Sequence, residues 1–160
     1  NLKGVPPYHT DENFYVESSR NMVESGDYLT PIYHDKKRFA KPILYYWFVS
    51  VSYKIFGVSL TSARLASALF GSLTIGLLYL ISSRLFEGRI AFYSILILPA
   101  TFLHFQISRW ATTDIVLSFF ILSALYYFVR SYQSDFESLT DIYLFYIEYI
   151  KRFIKLKFGK

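Results

Sequence analysis

The sequence predicts an all-α, integral membrane fold, and three observations predict it. Apolar residues make up 53% of the 160-residue chain, and the charges are gathered into islands. Three successive stretches, 65–83, 90–108 and 115–129, run for 19, 19 and 15 residues without a charged side chain. The two longer runs lack the polar face that a surface helix of a soluble protein keeps. A hydrocarbon core about 30 Å thick takes roughly 20 helical residues, and backbone in lipid must satisfy its own hydrogen bonds. Helical spans are therefore expected at about 63–83, 90–108 and 113–131. The same composition excludes extensive disorder. With no cysteine in the chain, a disulfide framework and a Cys-based zinc site are excluded as well.

The elements follow in order. Residues 1–61 read as an extracytoplasmic loop with amphipathic interfacial helices at about 11–25 and 42–55. The first helix opens at Thr10, a good N-cap, with Asp11 and Glu12 in its first turn and Gly26 as its stop. At helical spacing Asp11, Tyr15, Ser18 and Met22 share a face. The second follows a 12-residue uncharged run, 42–53, too short to span. Its Tyr45, Tyr46 and Trp47 suit the headgroup level. After the three spans, residues 132–160 read as an amphipathic basic helix on the anionic inner leaflet, with acids ahead of bases in the sense the helix dipole favours.

Basic residues set the orientation. Arg84 and Arg89 lie between the first two spans, Arg130 follows the third, and the tail holds Lys151, Arg152, Lys155, Lys157 and Lys160. The positive-inside rule puts these on the cytoplasmic side. The formal net charge of +5 thus reads as membrane anchoring, and no nucleic-acid partner is expected. Lys36, Lys37, Arg38 and Lys41 fall on the outer side, against the rule. For the first three, a solvated loop is the preferred reading over an anion site. The chain starts at Asn1 without a signal segment, so a preceding membrane helix, and hence a longer or trimmed protein, is expected.

On the outer face this topology gathers Asp11, Lys41, Arg64, Arg109 and Asp114. Each has an ordinary reading: capping for Asp11 and Glu12, snorkelling for Lys41, a structural pair for Arg109 and Asp114, with Thr112 or Thr113 capping the third span. Together, two carboxylates and several cations at the bilayer boundary suit a reaction on a phosphate-linked lipid. The cations would stabilise a departing phosphate while a carboxylate takes a proton from the attacking group.

Three stretches carry a resemblance: DENFYVESSRNMVESGDYLTP at 11–31, RFAKPILYYWFVSVSYKIFGVSLTSARLASALFG at 38–71 and SRWATTDIVLSFFILSALYYF at 108–128. In order and spacing they resemble the amino-terminal part of membrane glycosyltransferases with the type C fold. That group contains the protein O-mannosyltransferases and the bacterial transferases that place aminoarabinose on lipid A. The resemblance implies transfer of a sugar from a polyprenyl-phosphate donor to an acceptor at the outer face. It implies Asp11 as the catalytic carboxylate with Glu12 beside it, and Asp114 near the site. It also implies Lys41 on the carrier phosphate and Tyr15 after the acidic pair. Ala40 stands where many relatives have an acid that in some helps bind a metal, and Ile43 replaces a second proline, so no metal is assigned. Phe14 stands where aminoarabinose-type members often have Arg.

The expected chemistry is glycosyl transfer with inversion at the anomeric carbon. Asp11 would be the general base, and Lys41, with Arg64 or Arg109, would hold the phosphate. No nucleotide donor is implied, in keeping with the lack of a Gly-rich phosphate loop. The alternative is a non-catalytic, truncated membrane protein that binds polyprenyl phosphate or packs in a membrane complex. A channel or transporter has little support. His104 is the only group in the uncharged runs that titrates near neutral pH, and it reads as a packed, hydrogen-bonded residue.

Overall fold

The structure, a computed structural model, describes residues 10–133, and for residues 10 and 11 the backbone alone. The basic helix expected in the tail lies beyond Gln133, outside the described residues. Within them the order is α1 (Thr10–Ser25), β1 (Ile32–Tyr33), β2 (Lys36–Lys37), α2 (Leu44–Phe56), α3 (Leu60–Leu85), α4 (Gly88–Ala100), α5 (Phe102–Ile107) and α6 (Asp114–Gln133).

Helix α1 buries Glu12, Tyr15, Ser18, Ser19 and Met22, positions three or four apart that form one face. Gly26, at φ +75°, ends it and returns its N–H to the Met22 carbonyl at 3.0 Å. The Asp27 carboxylate then accepts the N–H groups of Leu29 and Thr30 at 2.9 and 3.2 Å. Those bonds, the Leu29 N–H foremost, hold its pKa below the usual carboxylate value. The two strands pair antiparallel, Ile32 with Lys37 and Tyr33 with Lys36. Their two-residue turn, His34–Asp35, has φ of +47° and +59°, as the strand twist of a tight hairpin requires. Glu17 ties this turn to α1 by accepting the His34 N–H at 3.1 Å, and Asn21 donates to the Ile32 carbonyl at 2.9 Å.

Helix α2 corrects one expectation. Tyr45 and Tyr46 are buried among α1, α2 and α3 instead of lying at the headgroup level. A phenol can be buried when its hydroxyl finds a partner, and Tyr45 Oη meets Ser67 Oγ of α3 at 2.8 Å. Trp47, Val51 and Ile55 form the exposed face. Gly57, at φ +81°, closes α2 onto the Tyr53 carbonyl, and the Ser59 hydroxyl caps α3 by accepting the Ser62 N–H.

Helix α3 has 26 residues and α6 has 20, and these two are long and apolar enough to cross a membrane. By rise alone α3 is about 39 Å long, more than the hydrocarbon thickness. The second expected span is broken. Helix α4 stops after 13 residues, and Thr101, with φ −69° and ψ 134°, separates it from the six-residue α5. Pro99 has no N–H for the carbonyl one turn back, and the Thr101 hydroxyl bonds the Leu98 carbonyl at 2.7 Å. Past α5 the chain presses against α3 at Gly71. The Ser108 side chain occupies the space that a Cβ on Gly71 would fill. His104 is buried against the Gly71 backbone.

Gln133 donates to the Arg84 carbonyl at 2.8 Å, while the Ser67 hydroxyl reaches toward the Thr112 carbonyl at 3.5 Å. Helices α3 and α6 therefore run parallel, with α4 and α5 returning the chain between them. The core sits at one end of this arrangement, where α1 and α2 pack on the starts of α3 and α6. Phe70 of α3 packs its ring on Phe48 of α2 at 4.7 Å and on Phe119 of α6 at 5.2 Å.

Because Gly71 is defined by its neighbour's volume, Gly71→Val should destabilise the protein by about 1–3 kcal/mol. Thermal unfolding in detergent would read this, and pairing it with Ser108→Gly should recover part of the loss. An unchanged melting temperature for Gly71→Val would disprove the close approach.

Candidate active site

The end of the bundle where α1, α2 and the start of α3 meet is built on a buried ion pair. Glu12 and Arg64 are 0% and 1% exposed. Arg64 Nε donates to Glu12 Oε1 at 2.7 Å and Nη2 to Oε2 at 2.8 Å, a two-pronged match of guanidinium to carboxylate. Glu12 Oε1 also accepts the Ala111 N–H at 2.9 Å. One carboxylate thus joins the first turn of α1, the first turns of α3 and the 108–113 loop.

Above this pair lies an aromatic layer. The Tyr15 ring meets Tyr45 edge-on at 4.9 Å and Tyr46 at 5.2 Å. Tyr15 Oη lies 3.4 Å from Thr113 Oγ1. The Thr113 carbonyl accepts the Leu117 N–H at 2.9 Å and so starts α6 through its backbone, while its hydroxyl faces Tyr15. Side-chain capping by Thr112 or Thr113 is therefore not what opens α6. The Thr112 hydroxyl is buried without a hydrogen-bond partner among the described residues.

Between α2 and α6 this layer leaves a cleft of about 260 Å³. Lys41 and Pro42 line one side, Thr113 and Asp114 the other, and Tyr45 also contributes. Leu44, Val116, Leu117 and Phe120 complete the wall. Lys41 and Asp114 are exposed at its mouth. Burial holds the Tyr45 phenol far above its ordinary pKa, and the Glu12 charge adds to the rise, so Tyr45 stays protonated at any working pH. Leu117 and Phe120 are also exposed along α6, so the apolar wall continues onto the outer surface of that helix. The cleft can hold an anionic oxygen at Lys41, set an acid opposite it, and receive a hydrocarbon chain along α6.

The structure thus brings Lys41 and Asp114 to one cleft, with Tyr15 one hydrogen bond away through Thr113. Asp11 stands in the first turn of α1, adjacent in sequence to Glu12, and its side chain is outside the described part. Glu12 and Arg64, taken from the sequence as a catalytic acid and a phosphate ligand, do not line the cleft and are engaged with each other beneath it. Arg109 is also outside the cleft lining, its guanidinium 4.7 Å from the centre of the Phe105 ring. No three His, Asp or Glu side chains gather to hold a metal ion among the described residues.

The residues that sequence reasoning missed are Tyr45 and Thr113, and the structural role of Arg64. A signal for Arg64 was present: a guanidinium entering an apolar helix needs a buried partner.

Known proteins are similar to this chain. Residues 40–147 match the family described as dolichyl-phosphate-mannose-protein mannosyltransferase. An uncharacterized protein of Aquifex aeolicus (strain VF5) is 40% identical over 75% of this chain and 25% of its own length. The undecaprenyl phosphate-alpha-4-amino-4-deoxy-L-arabinose arabinosyl transferase of Aeromonas hydrophila is 32% identical over 78% of this chain and 23% of its own. The crystal structure of ArnT from Cupriavidus metallidurans bound to undecaprenyl phosphate superposes with a TM-score of 0.70. It is 34% identical and covers 76% of this chain and 22% of that one. The chain therefore spans about a quarter of the length of the relatives it matches, and its fold is an all-α membrane one.

The ion pair can be tested independently of any activity. Glu12→Gln leaves Arg64 charged and buried, and should cost about 3–5 kcal/mol of stability in detergent. Replacing both, as Glu12→Met with Arg64→Met, should recover a large part of that loss. If Glu12→Gln unfolds at the wild-type temperature, the pair does not hold the three segments together.

Proposed function

Because the chain belongs to the dolichyl-phosphate-mannose-protein mannosyltransferase family, we propose that its outer end is the donor side of a polyprenyl-phosphate-dependent glycosyltransferase. The observation that carries this reading is the cleft in which Lys41 faces Asp114 over an apolar wall continuous with α6. A lipid phosphate needs both features: a cation at the boundary and a hydrocarbon path beside it.

In the proposed reaction an acceptor oxygen attacks the anomeric carbon from the side opposite the phosphate. The bond from that carbon to the phosphate oxygen breaks, its electron pair leaves with the phosphate, and the configuration inverts. Lys41 neutralises the departing polyprenyl phosphate. Asp11 takes the acceptor proton as general base, and Asp114 orients the acceptor or the sugar across the cleft. Tyr15, through Thr113, holds the start of α6 where Asp114 is useful. Glu12 and Arg64 act as positioning residues, since buried charges so fully engaged cannot take part in the transfer. Arg109 is a second outer cation, close in sequence to the 110–113 turn.

Two experiments test the reading. In membranes carrying the protein, transfer from a labelled polyprenyl-phosphate sugar should fall by about 10²-fold or more in Asp11→Asn and in Lys41→Gln. Full transfer by Asp11→Asn would overturn its assignment as base. Donor binding by the chain with no transfer in any acceptor mixture would favour a purely binding role.

The proposed site faces outward across the plasma membrane. The chain has no cysteine, so Phe39→Cys and Glu87→Cys give clean single-site probes. A membrane-impermeant maleimide added to intact cells should label Phe39→Cys and leave Glu87→Cys unlabelled until the cells are opened. The reverse pattern would invert the topology.

A further inference from the structure

The basic run at 36–38 divides in the structure. Lys36 and Lys37 are exposed in β2. Arg38, the next residue, is anchored at its backbone by an N–H bond to the Pro31 carbonyl at 2.8 Å. Its guanidinium carbon lies 3.4 Å from the centre of the Phe14 ring. Phe14 is held in turn by Tyr33, edge-on at 4.6 Å. The hairpin therefore mounts a guanidinium on the start of α1, one turn from the Asp11–Glu12 pair.

Stacking on a ring uses the flat face of a guanidinium and leaves its N–H edge for acceptors in the plane. Beside that edge stands Tyr46, fully buried, its phenol pushed up by burial and drawn back by the Arg38 charge. Arg38 Nε and Tyr46 Oη are both buried, and beyond the contact between these two side chains neither has a hydrogen-bond partner among the described residues. Native proteins pair such groups almost without exception. The Tyr46 hydroxyl can accept one guanidinium N–H of Arg38, and the remaining N–H groups of the stacked cation suit an anionic acceptor with more than one oxygen.

The position relates this pair to the cleft. Tyr46 packs against Tyr15, and Tyr15 packs against Tyr45, which lines the cleft with Lys41. Arg38 and Lys41 are three residues apart, so their Cα atoms are at most about 11 Å from each other. Two long side chains at that separation can reach one phosphate group.

We propose that Arg38, mounted on Phe14 beside Tyr46 Oη, is a second phosphate ligand of the site, donating to an oxygen of the same lipid phosphate that Lys41 holds. This rests on the donor reading given above, and the test separates the two.

The probe is undecaprenyl phosphate in detergent, followed by the fluorescence of the chain's tryptophans, with undecaprenol as the phosphate-free control. Arg38→Gln should weaken phosphate-lipid binding about tenfold and leave undecaprenol binding unchanged. Arg38→Lys, which keeps the charge and loses the planar stack, should recover part of the loss, and Phe14→Leu should weaken binding about threefold. Lys36→Gln should behave as wild type. If wild-type protein binds undecaprenyl phosphate and undecaprenol alike, the phosphate-site reading itself fails. If wild type prefers the phosphate lipid and Arg38→Gln keeps that preference, the Arg38 assignment alone is overturned. Should Arg38→Gln not fold, judged by circular dichroism, Phe14→Leu decides, and unchanged binding there overturns the assignment. Sodium phosphate should bind at least tenfold more weakly than the lipid. Equal affinity would mean a free-phosphate site and would overturn the lipid assignment.

Discussion

The half of the molecule that carries the cleft depends on one interaction, the buried contact between Glu12 and Arg64. Two opposite charges that close, shielded from water, must satisfy each other fully, because removing either leaves an uncompensated charge in a low-dielectric interior. A buried pair is weak evidence for net stability and stronger evidence for register. Glu12 accepts from Arg64 with both oxygens and from the Ala111 N–H with one. These bonds fix the rotation of α1, its height against α3, and the path of the loop that leads to Asp114. Asp11 sits one position before Glu12, about 100° round the helix, so the bond that anchors Glu12 also sets where the backbone of Asp11, the base of the proposed transfer, stands.

The cleft inherits its two-sided character from this frame. The 108–113 loop is pinned from below by Glu12 and from the side by Tyr15, so α6 begins where Asp114 faces Lys41. Below that mouth the same helix turns to Val116, Leu117 and Phe120. The change from charge to hydrocarbon takes less than two helical turns. That is the distance over which a membrane changes from headgroup to acyl chain, and a lipid phosphate crosses the same boundary.

Much of the fold was legible in the sequence because exposure to lipid is a local property. An uncharged run of spanning length states its environment without knowing its neighbours, and α3 and α6 follow from such runs. The break in the second run was half legible: Pro99 was visible, but the Thr101 hydroxyl had to take the Leu98 carbonyl for the helix to end there. What sequence could not separate was one aromatic environment from another. Tyr45 and Tyr46 fit a headgroup belt as well as a core, and only Ser67, 22 residues on, shows that Tyr45 is buried and satisfied. The outer charges had the same ambiguity. Glu12 and Arg64 are 52 residues apart; the apolar helix around Arg64 calls for a buried partner, but nothing in either segment names Glu12 as that partner.

The cations at the cleft end of the molecule divide by their chemistry. Arg64 matches a carboxylate with a rigid fork and is locked in the interior. Arg38 and Arg109 lie over the rings of Phe14 and Phe105, which hold a planar cation in one orientation. Lys41 alone among these is a compact ammonium on a flexible stem, placed at the mouth of the cleft. In the proposed transfer the phosphate begins bound to the sugar and ends free of it, so its oxygens move as the bond breaks. A fixed guanidinium suits recognition of the donor as it arrives, while a mobile point charge can follow the phosphate as it leaves. The same reasoning explains why Phe14 is compatible with a phosphate site: the ring carries no charge itself, but it supplies the platform on which the hairpin places one.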